Sequence, residues 1–302
     1  MSLVDERRRS FAFATTAYLL WGVFPLYFPL LEPASSLEIL GHRVTWSLIV
    51  CVLLLQFTTG FRGVREVLRN RRQLGLLVLA AVLVSVNWGL YIWAVNAHHV
   101  VESSLGYFIN PLVSILFGVV IFGERLRRLQ WTAVGIAVIA IIVITIDVGR
   151  LPWIALTLAF SFGGYGLCKK KANVNAADSL TIETGVLFLP ALATLIVIAA
   201  RGDMAFGTVS VGNSLLLACC GLVTAIPLML FTAGATRLPL SVMGMLQFIT
   251  PILQFIVGVW IRHERLGTAV LMGFCLVWLA LVVLSVDALR SRGVQEEIVE
   301  IA

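Results

Sequence analysis

Apolar residues in this chain run in long unbroken blocks, separated by short polar stretches. They neither alternate nor recur on one helical face. Ten blocks approach the roughly 20 residues that a helix needs to cross about 30 Å of hydrocarbon: roughly 11–31, 37–57, 74–96, 102–122, 130–147, 151–168, 180–200, 213–233, 240–260 and 268–288. Local signals place some of the starts. Ser35-Ser36-Leu37-Glu38 matches a capping box, so the second helix begins there, and Asp178 is placed to cap the seventh. Pro111, Pro227 and Pro251 fall within blocks and predict kinks. Arg7, Arg8 and Arg9 before the first block resemble the start of a signal peptide. That block is too long and contains Trp21 and Pro25, so it reads as a retained first helix.

Composition agrees with the pattern. The 302 residues are 60% hydrophobic and 13% charged, against about 45–50% and 25% in soluble domains. Mean hydropathy is +0.99. The bilayer must therefore solvate most of the chain, and ten spans with short loops leave no room for a large soluble domain. The predicted class is an all-α integral membrane protein. Cys51, Cys168, Cys219, Cys220 and Cys275 lie in or at the ends of apolar runs and read as small core residues.

The net charge of +6 is less informative than its distribution. With the N-terminus placed inside, 17 Lys and Arg fall in inside segments and 4 outside, namely Arg150, Arg201, Arg262 and Arg265; Arg43 lies within a span. This bias predicts two cytoplasmic termini in a multi-pass protein of a bacterial inner membrane. It also puts the positive charge against anionic lipid head groups. No segment offers the basic and aromatic surface that nucleic acid needs.

A self-match at an offset of 140 residues organises the whole chain. Phe108-Ile109-Asn110-Pro111-Leu112 reappears as Phe248-Ile249-Thr250-Pro251-Ile252, and Glu124-Arg125-Leu126 as Glu264-Arg265-Leu266. Over 108–126 and 248–266, 9 of 19 residues are identical. Ala17 to Gly22 matches Ala159 to Gly164 more weakly. The expected division is 1–148 for one five-helix unit, 149–288 for a second and 289–302 for a cytoplasmic tail. Five is odd, so the second unit enters the membrane inverted, as in alternating-access transporters.

The repeat also points to a site. Ser103, Tyr107, Asn110 and Ser114 lie within an arc of about 60° on the fourth helix. Their counterparts on the ninth are Met243, Gln247, Thr250 and Gln254, three of them polar. A stripe repeated in antiparallel helices would line a shared cavity; the bland alternative is interhelical bonding. Asn87, Trp88 and Tyr91 share a face of the third helix and could line that cavity beside Tyr18 and Trp21. Trp131, Trp153 and Trp260 fit an interfacial belt.

Two charges stand within spans. Arg43, with Glu38 and His42, is expected near the external mouth, holding a substrate anion or a gate. Glu183 is expected near the cytoplasmic mouth, as a protonatable group or as a first-turn acid favoured by the helix dipole. The spacings His98/Glu102 and Glu38/His42 are weak as metal signals, so no metal or other cofactor is predicted. Walker, His-Glu-x-x-His and Gly-x-Ser-x-Gly motifs do not occur.

Together the paired prolines and Glu-Arg-Leu turns resemble the EamA family of the drug/metabolite transporter superfamily. The stretches 87–99 and 104–111, Ile182-Glu183-Thr184 and Ala235-Thr236-Arg237-Leu238 are similar to RarD-type permeases, over nearly the whole length. His263 departs from Gly123 of the first copy, in an external turn. The resemblance implies ten helices, an inner-membrane location and transport of a small organic solute. The RarD name is tied to chloramphenicol sensitivity. The function predicted is a secondary-active permease working by alternating access. Its expected partners are a small molecule, a coupled proton and the lipid bilayer, in a monomer or weak homodimer. Competing readings are a membrane-embedded scramblase or enzyme, for which no catalytic constellation is found, and a scaffold, which would not need the repeated stripe.

Overall fold

The computed structural model describes residues 3–122, 126–235 and 246–301. The helices are α1 Leu3–Gly22, α2 Phe24–Tyr27, α3 Ser36–Phe57, α4 Arg62–Arg69, α5 Arg71–Asn96, α6 Val100–Phe122, α7 Arg128–Val148, α8 Trp153–Ala172, α9 Ala176–Ala200, α10 Val211–Ala235, α11 Ile249–Ile256 and α12 Thr268–Ile301, with no strand among the described residues. One 3-10 turn, Phe28–Leu31, and one π turn, Val257–Ile261, extend α2 and α11.

Among the described residues seven helices are long and apolar enough to cross a membrane: α3, α5, α6, α7, α9, α10 and α12. The segments Arg8–Gly22 and Phe24–Leu31 add an eighth as a bent pair, 42° apart. Two of the ten expected spans fall short of that test. The one at 151–168 is the 20-residue α8, whose last turn carries Lys169, Lys170 and Lys171. The described part of the one at 240–260 is a 13-residue apolar stretch, Ile249–Ile261, and 240–245 lie outside the described residues, with Met243 and Arg237. So do Glu124 and Arg125. The short helix α4 falls in what was read as a connection, and Pro190 inside α9 adds a proline the span reading passed over.

Helix starts carry the 140-residue period. Ser36, Arg71 and Arg128 open α3, α5 and α7; Ala176, Val211 and Thr268 open α9, α10 and α12, each 140 residues later. Packing follows the same rule. The main helix pairs are α7 with α12, α6 with α8, α5 with α8, α3 with α9, α3 with α10, α1 with α10, α1 with α11, α6 with α11 and α5 with α9. Exchanging the two halves maps this set onto itself. Aliphatic side chains such as Leu53, Ile139, Leu189 and Val282 face outward, as lipid-exposed helices require.

Ends of helices show where the polar groups go. Ser35 caps α3, its Oγ accepting from Glu38 N at 3.2 Å, but Glu38 does not complete the box; its carboxylate reaches across to residues 205 and 206. The cap of α9 is Asn175, not Asp178, and Asn175 Oδ1 accepts from Asp178 N. The second Glu-Arg-Leu turn acquires a role: Glu264 accepts from Val100 N at 2.7 Å and Val101 N at 2.8 Å, closing the N-terminus of α6 from the other half. Of the five cysteines, Cys51, Cys168 and Cys220 are buried, but Cys219 and Cys275 face outward, so the core reading fails for those two.

Candidate functional site

The bundle has two ends. The upper end carries 32–35, 97–99, 149–152, 201–210 and 262–267; the lower end carries 58–70, 126–127 and 173–175. Arg43 lies about 10 Å down α3 from the upper end, at 1.5 Å per residue. It is 4% exposed. Its guanidinium stacks over Trp88 of α5, with its carbon 4.0 Å from the ring centroid, and lies 5.7 and 5.9 Å from the rings of Phe24 and Phe28 at the bend of the first span. Nε donates to Thr224 Oγ1 of α10 at 2.9 Å. No carboxylate among the described residues lies within 4 Å of it. Tyr27, Tyr91, Tyr107 and the Cys220 thiol lie within electrostatic reach. Cation–π contacts contribute about 2 kcal/mol when desolvated, against a cost of about 3 kcal/mol for a central membrane arginine, so the rings offset the charge without pairing it.

Trp88, Tyr91, Asn87 and Tyr107 do come together beside Arg43. Tyr107 Oη donates to Asn87 Oδ1 at 3.1 Å; Asn87 Nδ2 donates to Leu158 O and Ser161 Oγ, both at 3.0 Å. The Tyr91 ring meets Tyr107 and Phe28 edge-on, at 5.5 and 5.9 Å, and its buried hydroxyl lies beside the Gln254 side chain. The other half of the stripe does different work. Thr250 Oγ1 donates to Tyr18 O at 2.8 Å and Gln254 Nε2 to Trp21 O at 3.3 Å. Pro25 has no N–H to give Trp21 O, its partner four residues back, so Gln254 fills the gap left by the bend. These two residues act as interhelical bonds. Tyr18 and Trp21 present their rings to Phe231 of α10. Ser103 bonds its own helix at His99 O, Asn110 is buried toward Gly163, and Gln247 sits half-buried in the turn before α11.

Glu38 and His42 stand apart from Arg43's charge. Glu38 is fully buried and accepts from Ala205 N at 2.9 Å and Phe206 N at 2.9 Å, pinning the turn before α10 to α3. His42 Nε2 is 3.9 Å from Glu38, and its ring packs on Phe206 at 4.6 Å. Glu38→Gln should lower the unfolding midpoint by the equivalent of about 1–2 kcal/mol, since bonds to a charged acceptor are roughly twice as strong as neutral ones. An unchanged midpoint in a thermal scan would show that the 205–206 turn holds itself.

Glu183 is 1% exposed toward the lower end. It accepts from Lys169 Nζ at 2.7 Å, Ser179 Oγ at 2.7 Å and Tyr165 Oη at 3.2 Å, and Lys169 also donates to Ser179. Lys169, Thr224, Phe24 and Phe28 are not among the site residues that the sequence picks out. The i, i+4 spacings Tyr165–Lys169 and Ser179–Glu183 were legible; their meeting across two helices was not. At the upper end Arg150 pairs with Glu102 at 3.6 Å, beside a cavity of about 440 Å³ that Arg262, Glu264 and Arg265 also line.

The model of the EamA-like transporter family matches the chain twice, over residues 9–146 and 151–286. The chain belongs to the EamA-like transporter family. It is 53% identical over 291 residues to protein RarD of Streptomyces exfoliatus, covering 96% of this chain and 92% of that one. It is 41% identical over 287 residues to protein RarD of Escherichia coli strain K12, covering 95% and 97%. A solved crystal structure shares the fold, with a TM-score of 0.61 at 17% identity, covering 92% of this chain and 98% of that chain. The chain is therefore an EamA-type permease of the RarD group, a multi-pass membrane protein in a family of transporters.

Proposed function

We propose that this protein is a secondary-active transporter of a small organic solute, working by alternating access between two inverted five-helix halves. The observation that carries this reading is the family match occurring twice, in register with helix starts that recur 140 residues apart. Ten crossings follow if α8 and the segment ending at Ile261 also span. The first unit then ends on the side opposite to its start, and the second runs inverted. The upper end is external and both termini are cytoplasmic in a bacterial inner membrane, because 17 of the basic residues fall in the sequence segments and tails expected inside and 4 in those expected outside. The bent first span, the buried Arg43 and the Glu183 pair sit on helices of the α1, α3, α5, α8, α9 and α10 group, whose rocking would open one mouth at a time.

Two measurements test this reading. A reporter fused after Ala302 and active only in the periplasm should stay silent; activity would reverse the orientation. Proteoliposomes should accumulate at least one solute from a panel of organic acids, amino acids, amines, amphenicols and nucleosides, with a saturable rate. Absence of saturable flux for every member, from protein that still unfolds cooperatively, would remove the transport reading.

A further inference from the structure

We infer that Arg43 is the anion-binding centre of the transport site, and that the solute carried is a small organic monoanion, a carboxylate in the first instance. This substrate class rests on the transporter reading for its purpose, though not for its chemistry.

A guanidinium presents five N–H donors along the edges of a plane, and its two faces are apolar by comparison. In this protein the ring of Trp88 covers a face at 4.0 Å, while Phe24 and Phe28 close the sides. Only the Nε edge is used, by Thr224. The two terminal nitrogens, which match both oxygens of a carboxylate, have no protein acceptor among the described residues. Tyr91, whose hydroxyl lies beside the Gln254 side chain, is within electrostatic reach of the same guanidinium. A residue kept merely to join α3 to α10 would need neither the charge nor the free fork; a neutral side chain could bond Thr224 at lower cost. A bound carboxylate makes the pair neutral and satisfies the fork, so the charge that is costly in the empty site becomes favourable in the loaded one. Glu38, the buried acid on the same helix, is already committed to Ala205 and Phe206, and Glu183, toward the lower end, is held by Lys169, so neither competes for the fork. With Arg43 the one buried cation without a carboxylate partner among the described residues, the preferred charge of the solute is one negative.

The experiment uses the full chain in detergent and in proteoliposomes, with benzoate, benzamide and benzylamine as anionic, neutral and cationic probes of one shape, and acetate against acetamide as a second pair. Binding to the native state raises the unfolding midpoint. The carboxylates should raise it at concentrations at least tenfold below those at which the amides act. Arg43→Lys keeps the charge and loses the fork, and should weaken carboxylate binding at least tenfold. Arg43→Gln should abolish the preference for carboxylate over amide. If Arg43→Gln does not fold, Arg43→Lys and Thr224→Val, which frees Nε, still report; Thr224→Val should weaken carboxylate binding severalfold. Equal effects of benzoate and benzamide, no effect of any carboxylate, or carboxylate binding unchanged in Arg43→Lys would overturn the assignment. Flux separates the two levels. Saturable transport of amides or amines without transport of carboxylates leaves the transporter standing and removes the anion site. Carboxylate binding that depends on Arg43, without flux of any solute, leaves the site standing and removes transport.

Discussion

Gly221→Ala should lower the unfolding midpoint of this protein sharply and, at the same time, loosen the Arg43 site. A Cβ at Gly221 would stand 2.5 Å from the carbonyl carbon of Trp46, 2.6 Å from its oxygen and 2.7 Å from its Cβ. Two of these atoms are backbone, so no rotamer change relieves the contact, and α10 must move away from α3 by about 1 Å to restore ordinary carbon contact distances. Overpacking of this kind costs about 3 kcal/mol, the upper part of the usual range. Thr224 lies one turn along α10 from Gly221, and Arg43 one turn along α3 from Trp46, on the same seam. The Nε–Oγ1 bond of 2.9 Å would stretch beyond hydrogen-bonding distance with the same displacement. Thermal scans at one heating rate should place Gly221→Ala several degrees below the parent, with Gly75→Ala as control. No atom lies within 4 Å of a Cβ at Gly75, and alanine there should be neutral or stabilising. A Gly221→Ala protein with a parental midpoint would mean that the two helices do not approach as closely as described.

That contact shows where sequence reading stops. The blocks that became α3, α5, α6, α7, α9 and α10 were legible to within a few residues, because hydrocarbon thickness dictates their length; that of α12 was legible at its start, but the helix runs on to Ile301 through the stretch expected as a tail. The first span was legible as a block but not as a bend, although Pro25 stood inside it. Its consequence, that Gln254 must supply a donor to Trp21 O, depends on which helix packs there. Gly221 gave no signal, since a glycine in an apolar run is common in membrane helices and its partner sits on another helix.

The site was legible in part for the same reason. Arg43 and Glu183 announced themselves, because any charge in a span demands an explanation. Asn87, Trp88, Tyr91 and Tyr107 were placed by helical periodicity, and they do meet. The carboxylate of Glu38 was placed with Arg43 by proximity in sequence, yet it serves the amides of Ala205 and Phe206. Direction is fixed by one turn of helix, and Arg43 points away from Glu38 into rings contributed by two other segments, the bend of the first span and α5. Thr224 is one of several small polar residues in α10, with Asn213, Ser214 and Thr232, and nothing local connects it to position 43.

Lys169→Met should destabilise the protein more than Glu183→Gln does. Glu183 is 1% exposed and Lys169 24%, so the two members of the pair are not equally able to reach water when abandoned. Removing the lysine leaves a buried carboxylate with only Ser179 and Tyr165 as donors, and breaking a buried pair in this way costs about 3–5 kcal/mol. Removing the acid leaves an ammonium on a four-carbon stem at the end of α8, which can turn outward, and the cost falls to about 1–2 kcal/mol. The double variant Lys169→Met with Glu183→Leu should recover most of the loss, because an apolar replacement of a buried ion pair is often neutral. A lysine variant milder than the acid variant would mean that Glu183 is wetter than its burial indicates. Flux then assigns the pair its role. If the double variant folds like the parent and still accumulates solute under an imposed pH gradient, the pair is a structural tie between α8 and α9, and Glu183 is removed from coupling. If it folds like the parent, exchanges solute across the membrane and no longer responds to the gradient, the carboxylate that Lys169 holds is where the proton enters the cycle.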